Sequence, residues 1–221
     1  SKDHGKIGLA ACLAPAIHYA DAGVPVAPKV AFDYAQSGAT LHGAGRTHYM
    51  IQDQPLNVGQ MFRAPGQADV LRRVAMDGRD GFYDGEVAED MVKSLNAAGG
   101  THTLDDFASV RSDYTDPVSG TYKEIELVEH PPNGQGATAI LMLNILKHFD
   151  IAGLDPMGEQ RAHLEAEAAK LAYDTRNRVI ADPDYTARLD HMLSEDTAAK
   201  LAGMIDPASA IPPSLPGAEA V

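Results

Sequence analysis

The chain has 221 residues, 44% of them hydrophobic and 22% charged, so it is long enough and apolar enough to bury a substantial core. Its formal net charge of −13, from 31 acidic and 18 basic residues, argues against nucleic acid and against an anionic membrane surface as partners. The single cysteine, Cys12, excludes a disulfide within the chain and is expected to be a small buried side chain, and no apolar run approaches the roughly 18 residues of a membrane span.

The first half of the chain predicts helices separated by turns. Apolar periodicity gives helices over about residues 9–22, 29–36, 66–76 and 86–98. Gly23 and Pro25 end the first of these helices, and Gly99 and Gly100 end the last. Residues 38–63 have poor periodicity and frequent turn formers, which predicts mostly loop.

A short helix containing Leu104 and Phe107 is predicted next. Thr103 is suited to cap its amino terminus, and Asp105 and Asp106 are favourable in its first turn. Paired carboxylates also serve acid–base chemistry. Because acidic residues are much commoner at helix starts than in such a role, the pair is interpreted as structural.

Two runs rich in β-branched and aromatic residues, 118–122 and 125–129, flank a turn at Lys123 and Glu124. This pattern predicts a pair of antiparallel strands joined as a hairpin. The second strand leads directly into the segment His130–Gly136, which reads His-Pro-Pro-Asn-Gly-Gln-Gly.

This segment joins the hairpin to an apolar helix predicted over about residues 137–148. Its two prolines hold the entering chain extended, and its two glycines permit close backbone approaches. The amino terminus of the helix suits an anion or a carboxylate, which makes a candidate substrate-adjacent loop of Asn133, Gly134, Gln135 and Gly136. The alternative is a tight strand-to-helix connection without a ligand. A P-loop is excluded, because no Lys-Ser or Lys-Thr follows the glycines.

A longer helix is predicted over about residues 159–180, with small alanines on its inward stripe. His163 and Glu167 lie four residues apart on it and could face one metal ion. They provide two ligands at most, and no His-Glu-x-x-His pattern accompanies them, so no metal site is predicted. An ordinary surface or core pair is the favoured interpretation.

The end of the chain combines one more helix with a segment rich in helix breakers. Ser194 is suited to cap a helix over about residues 195–204. Residues 206–221 contain several prolines and are predicted to be a flexible tail. Across the whole chain there is no Gly-x-Ser-x-Gly elbow and no cysteine–histidine pair, so no catalytic residue is assigned within it.

Several segments, taken in chain order, resemble the large subunit of the γ-glutamyltransferase family. The loop after the hairpin resembles the family's Pro-Pro-Pro-Ser-Ser-Gly-Gly turn, and Leu143–Leu146 matches the Leu-Asn-(Ile/Leu)-Leu of the helix that follows it. The other resembling segments are Gly81–Ala88, Gly99–Phe107, Glu165–Arg176 and Asp182–Tyr185. Leu13–Ile17 and Ala22–Val26 extend the resemblance toward the start, so it covers nearly the whole chain.

The resemblance implies an α/β (α+β) fold, the four-layer αββα sandwich of N-terminal-nucleophile hydrolases, to which this chain supplies mainly helices and a β-hairpin. Residues 1–221 would form a single partial domain, the C-terminal part of the large subunit. The tail would precede an autoprocessing site just beyond Val221. The partner would be a small subunit from the same precursor that begins with the threonine nucleophile, whose own α-amine acts as base. No cofactor is implied.

The implied activity is cleavage or transfer of γ-glutamyl groups on glutathione-like substrates. Asn133–Gly136 replaces the commoner Ser-Ser-Gly-Gly, a form associated with a shorter branch that includes class IV cephalosporin acylase-like proteins. A β-lactam (cephalosporin or glutaryl) acylase is therefore one alternative, and a catalytically inactive binding or scaffold homologue is another. The family's carboxylate-binding arginine lies upstream of the matching region, and neither Arg46 nor Arg63 sits in its motif. The compartment stays open between cytoplasm and periplasm.

Overall fold

The computed structural model describes residues 3–212, and the chain divides into two compact units, residues 1–112 and 113–221. The single partial domain expected over residues 1–221 stays a prediction. Within the described range, no helix is long and apolar enough to cross a membrane.

The first unit is built from short helices linked by very short strand pairs. Its helices are α1 (Leu9–Ala22), α2 (Pro28–Ser37), α3 (Gly43–Tyr49), α4 (Pro65–Asp77), α5 (Asp80–Tyr83), α6 (Gly85–Ala97) and α7 (Leu104–Ser109), with a 3₁₀ turn at Gly38–Thr40. Antiparallel pairs join β1 (Val24–Pro25) to β4 (Met61–Phe62), and β2 (Met50–Ile51) to β3 (Gln54–Pro55). Helix α1 packs on α4 and, within the described chain, buries none of its own residues.

Two predictions for this unit are wrong. Residues 38–63 are not mostly loop, because they contain α3 and three short strands. Contacts between distant residues stabilise them: Tyr49 stacks on Phe62, and Tyr34 packs against both rings. Cys12 is exposed rather than buried, because it lies on α1, which has no buried face in this unit.

The start of α7 follows the prediction made for Thr103. The Thr103 hydroxyl accepts a hydrogen bond from the Asp106 N–H at 3.2 Å, and Asp106 accepts one from the Thr103 N–H at 2.8 Å. This reciprocal pair is a capping box, which satisfies two amides at the helix start. The hydrogen bonds from the side chain and backbone of Thr103 lower the pKa of Asp106. The carboxylate therefore serves as an ionised cap.

The second unit is a hairpin packed against a cluster of helices. Its elements are β5 (Val118–Tyr122), β6 (Ile125–Glu129), α8 (Gly136–Leu146), α9 (Glu159–Val179), α10 (Leu189–Leu193) and α11 (Glu195–Ala202), with 3₁₀ turns at Ile151–Gly153 and Pro183–Tyr185. The register pairs Val118 with Glu129 and Tyr122 with Ile125, so the two-residue turn is at Lys123 and Glu124 as predicted.

Helix α8 forms the centre of this unit. Strand β5 and helices α9, α10 and α11 all pack on it, which explains why apolar residues occur all round this helix. Ile140, Leu141 and Ile145 on α8 are almost completely buried. From the next helices Leu164, Leu171, Met192 and Leu201 complete the core. The core therefore fixes the start of α8, and with it the loop that enters α8 from the hairpin.

Candidate functional site

The candidate loop is a tight turn between β6 and α8. The Gly134 N–H donates to the Pro131 carbonyl oxygen at 3.1 Å, and the Thr138 N–H donates to the Gln135 carbonyl oxygen at 2.9 Å. Pro132 is buried, whereas Asn133 and Gln135 are exposed. The buried proline thus anchors the turn and leaves the two amide side chains facing outward.

The junction between β6 and α8 has no room for a side chain at Gly136. A β-carbon there would overlap the side chain of Glu129 and come within 2.9 Å of the His130 carbonyl oxygen. Interiors packed at crystal-like density do not absorb such an overlap without backbone movement. The absence of a side chain at Gly136 therefore lets the first turn of α8 lie directly on the end of β6.

No side chain of α8 or of its N-cap residue neutralises the positive end of the helix dipole. Gln135 at the N-cap position makes no capping hydrogen bond with its side chain, and the first turn contains no acidic residue. The exposed amides of Asn133 and Gln135 are suited to bind a negatively charged group beside this helix start, which the side chain of Glu129 also contacts at Gly136. The substrate-adjacent role of Asn133, Gly134, Gln135 and Gly136 stays a prediction.

An open cleft of about 220 Å³ lies beside the same turn. It is lined by Thr115, Asp116, Pro131, Pro132, Pro183, Thr186 and Leu189. Its walls come from the segment before β5, from the turn, and from the segment leading into α10. Sequence reasoning identified the turn but not these more distant walls, because they are brought together only by the fold.

A second group of polar side chains in this unit lies on α9. The sequence predicted there only an ordinary pair of side chains, His163 and Glu167. Glu167 is 3% exposed, and its Oε1 lies 2.7 Å from Lys170 Nζ. Its other oxygen, Oε2, accepts a hydrogen bond from the Ile211 N–H at 3.0 Å. Lys170 Nζ also donates to the Ile211 carbonyl oxygen at 2.9 Å. We call these contacts of Glu167 and Lys170 with Ile211 the α9 clamp.

The clamp keeps Glu167 ionised. Burial by itself raises the pKa of this carboxyl, but hydrogen bonds from Lys170 and the Ile211 amide, with the charges of Lys170 and His163, outweigh burial and lower it. A buried carboxylate is tolerated only when it is paired and hydrogen-bonded. Here one cation and one backbone amide meet that requirement.

His163 lies one turn before Glu167 and contacts the same segment. Its Nε2 donates to the Asp206 carbonyl oxygen at 2.9 Å, so His163 and Glu167 contact different residues of the segment 206–211. In residues 3–212, no group of three or more histidine, cysteine, aspartate or glutamate residues could hold a metal. The interpretation of the pair as ordinary side-chain contacts stays a prediction.

The clamp also holds the part of the predicted tail that the structure describes. Asp206 pairs with Ser209, and Ile211 is 8% exposed and belongs to the core cluster. The chain is therefore held on α9 as far as Ile211. Residues 213–221 and the proposed processing point lie outside the described residues, and the flexibility of the tail stays a prediction.

Arg46 and Arg63, which do not lie in the family's carboxylate-binding motif, form hydrogen bonds within the first unit. Arg46 donates to Asp53 at 2.7 Å and to the Gly38 carbonyl oxygen at 2.6 Å. Arg63 donates to the Ala22 carbonyl oxygen at 3.1 Å. These contacts stabilise the short strand region.

Comparison with known proteins found one matching family, one similar protein and two similar solved structures. A family model described as Gamma-glutamyltranspeptidase matches residues 1–220. A Bacillus subtilis protein named glutathione hydrolase-like YwrD proenzyme is 31% identical over 204 residues, which cover 91% of this chain and 39% of that protein. The chain thus spans about two fifths of that relative's length.

Two solved structures show the same fold. The γ-glutamyltranspeptidase of Helicobacter pylori matches with a TM-score of 0.86 and 25% identity, over 96% of this chain and 62% of that one. A cephalosporin acylase from Bacillus halodurans matches with a TM-score of 0.83 and 31% identity, over 93% of this chain and 40% of that one. These likenesses confirm the fold class predicted from the sequence, with this chain supplying mainly helices and a hairpin.

Proposed function

Because the chain belongs to the γ-glutamyltranspeptidase family, we propose that it is the large-subunit part of an enzyme that cleaves its own precursor and then hydrolyses or transfers γ-glutamyl groups. The observation that carries this proposal is the family match over residues 1–220. The proenzyme name of the 31% identical Bacillus subtilis relative supports the precursor step. Glutathione-like compounds are the proposed substrates.

The reactive group would come from the partner subunit, which begins with a threonine once the precursor is cut. Its α-amine, with a pKa of about 7.7–8.0 in model peptides, accepts the hydroxyl proton. The hydroxyl oxygen attacks the γ-glutamyl carbonyl carbon, the amine of the substrate leaves with a proton, and an acyl-enzyme forms. Water or an amino acid then takes up the acyl group and regenerates the threonine.

This chain would shape the pocket rather than perform the bond-breaking step. The exposed amides of Asn133 and Gln135 beside the uncapped start of α8 are suited to a substrate carboxylate. Gly136 keeps that helix start against β6, so the loop presents a fixed surface. Catalysis gains from such pre-positioned groups because they do not need to reorganise during the reaction.

A β-lactam side-chain acylase is the second candidate. Two observations favour it: the 31% identity to the cephalosporin acylase structure, and the Asn-Gly-Gln-Gly sequence at the loop where the family more often has Ser-Ser-Gly-Gly. The nucleophile and the acyl-enzyme would be the same in both candidates. Only the acyl group and the leaving amine would differ.

The test uses the complete precursor. After purification, amino-terminal sequencing of the smaller polypeptide should give threonine, and initial rates on a γ-glutamyl anilide should exceed those on glutaryl-cephalosporin. The matched control replaces that threonine by alanine, which should leave an uncut, inactive precursor. A faster rate on glutaryl-cephalosporin would establish the second candidate. An uncut wild-type precursor with no turnover of either substrate would overturn both and indicate a binding or scaffold homologue.

A further inference from the structure

We infer that α1 is an internal helix of the complete protein, and that the part of the protein outside these 221 residues covers its apolar surface. The inference rests on the surface of α1 and on the length of a family member, and it does not depend on the proposed activity. This chain covers 39% of the Bacillus subtilis relative, so about three fifths of that relative lies outside the match. A protein of similar length has enough additional chain to cover a helix.

The surface of α1 is apolar nearly all round and carries almost no charge. From Leu9 to Ile17 its side chains are aliphatic, apart from the thiol of Cys12. Its one carboxylate, on Asp21, pairs with Arg72 of α4. A helix of this kind is typical of a buried position. In the described chain, however, most of α1 is exposed, including Ala10, Ala11, Cys12, Ala14, Pro15, Ala16 and Tyr19.

Helix α1 depends on packing for its stability. Pro15 lies in its interior, where it removes one backbone hydrogen bond and crowds the carbonyl of the preceding turn. A helix of 14 residues is marginal in water even without a proline. Its main contact in the described part of the first unit is with α4, and that contact buries none of its residues. A further packing surface would supply the stabilisation that α4 does not.

The junction of α1 with α4 forms an apolar groove in which such a surface fits. The groove is open and has a volume of about 400 Å³. Its apolar lining comes from Ala10, Ala14 and Ile17 of α1 and from Ala75 and Met76 of α4. Met76 is 74% exposed, and the charged residue at the groove, Arg72, is already paired with Asp21. Exposed apolar area of this kind marks a contact surface.

A second copy of the chain fits this surface less well than another part of the same protein. A symmetric dimer joins one patch of each copy. The exposed residues of α1 lie on different sides of the helix: Cys12 and Ala14, two positions apart, are separated by about 160° around its axis. Covering both sides needs a surface that encloses the helix, as the interior of a single fold does.

The first test uses Cys12 as a probe in the complete protein, whether cut or uncut. Glu89→Cys adds an exposed control thiol on α6. Both thiols react with N-ethylmaleimide in the native protein, and mass spectrometry of the two peptides gives their rates, each relative to its rate in urea. We expect Cys12 to react at least about tenfold more slowly than the control, because reaction then requires local opening. The protection should not depend on protein concentration.

The second test identifies what covers the helix. Tyr19, which is 58% exposed in this chain, is replaced by photoreactive p-benzoylphenylalanine, another aromatic residue. After irradiation of the complete protein, we expect cross-links to residues outside these 221. Mixing isotopically labelled and unlabelled protein separates cross-links within one molecule from those between molecules. The same photoreactive residue at the exposed position of Lys93 on α6 is the control and should give few cross-links.

A charge placed on α1 provides the third test. Ala16→Lys puts an ammonium group on a residue that is exposed in this chain but covered in the proposed arrangement. It should lower Tm of the complete protein by about 5 °C or more, because the charge must be desolvated. Ala97→Lys, at the exposed end of α6, is the matched control and should change Tm by less than about 2 °C.

Three results would overturn the inference. Less than about tenfold protection of Cys12 would show that the surface is free. Cross-links from position 19 to residues 113–221, or to a second copy, would assign the surface to another occupant. Equal Tm values for Ala16→Lys and Ala97→Lys would also contradict the cover. None of these measurements needs an active enzyme, so an uncut, inactive protein that protects Cys12 overturns the proposed function and leaves this inference standing.

Discussion

The two compact units have nearly the same length but differ in how they bury apolar side chains. In the second unit, α8, α9, α10 and α11 share one continuous core that also includes Ile205 and Ile211. Among the described residues of the first unit, the buried hydrophobic side chains are few and scattered, namely Val26, Met50, Leu56, Ala68 and Ala88. Large apolar side chains such as Phe32, Val58 and Met76 stay 60–74% exposed there.

This difference indicates two ways of holding helices together. The second unit relies on area removed from water, which scales with the apolar surface its helices share. The first unit relies on aromatic contacts, short strand pairs and ion pairs such as Arg73 with Asp69 and Glu86. Exposed ion pairs contribute about 0–1 kcal/mol each. Core substitutions should therefore cost most in the second unit.

The largest expected effect comes from Leu141→Ala in the second unit. Leu141 is completely buried at the centre of α8, so its truncation should lower the free energy of unfolding by about 2–5 kcal/mol. Leu104→Ala in the first unit is the control: Leu104 is 46% exposed and should cost less than about 1 kcal/mol. Urea denaturation of the purified precursors measures both. Equal losses would contradict the difference between the units.

Gly136→Ala should have the next largest effect. The added methyl overlaps Glu129 and approaches the His130 carbonyl oxygen, so we expect a loss of about 1–3 kcal/mol. Gly66 on α4 is the matched control, because a β-carbon there meets no atom within 4 Å. Gly66→Ala should be neutral or stabilising by up to about 1 kcal/mol. If both variants had the same Tm, the close approach of α8 to β6 would not limit stability.

A smaller and pH-dependent effect is expected for Glu167→Gln. Because its pKa is lowered in the folded state, the carboxylate contributes stability that is fully present above its ordinary value of 4.5. That contribution is lost as the pH falls below 4.5 and through the lowered pKa. The Tm difference between wild type and Glu167→Gln should therefore shrink between pH 6 and pH 3. A difference that stays constant over this range would show that the charge of Glu167 does not stabilise the fold.

The smallest effect is expected at the start of α7. Thr103→Ala removes the hydroxyl that accepts the Asp106 N–H and should cost about 1 kcal/mol. Thr101→Ala, an exposed control just before the helix, should change stability by less than about 0.5 kcal/mol. Amide hydrogen exchange in α7 detects the local opening that global unfolding would miss. Unchanged protection in Thr103→Ala would show that the capping box is dispensable.

The elements predicted well are those governed by local chemistry. The hairpin strands at Val118–Tyr122 and Ile125–Glu129 and helix α1 at Leu9–Ala22 have the predicted bounds. Alternation of side chains, a two-residue turn and a glycine stop are all encoded within a few residues of the element they define. The bounds of α9 differ from the prediction by one residue for the same reason.

The elements missed are those that depend on distant partners. Helix α3 and its neighbouring strands have weak local signals and are held by ring contacts between Tyr34, Tyr49 and Phe62. The α9 clamp joins residues 44 positions apart in the chain, Glu167 and Ile211. A charge pair at i and i+3 on a helix normally indicates solvent exposure. Only the proximity of Ile211 explains why Glu167 is buried, while Lys170 stays partly exposed.

By itself, the sequence determined the family, the hairpin, most helices and the tight turn from Pro131 to Gly136, because each follows from residue types at short spacing. The tertiary structure alone decided which polar groups are buried and what satisfies them. Burying a charge is favourable only where partners converge from separate parts of the chain, and no local pattern encodes that convergence. The hold of Glu167 and Lys170 on Ile211 is a product of that convergence.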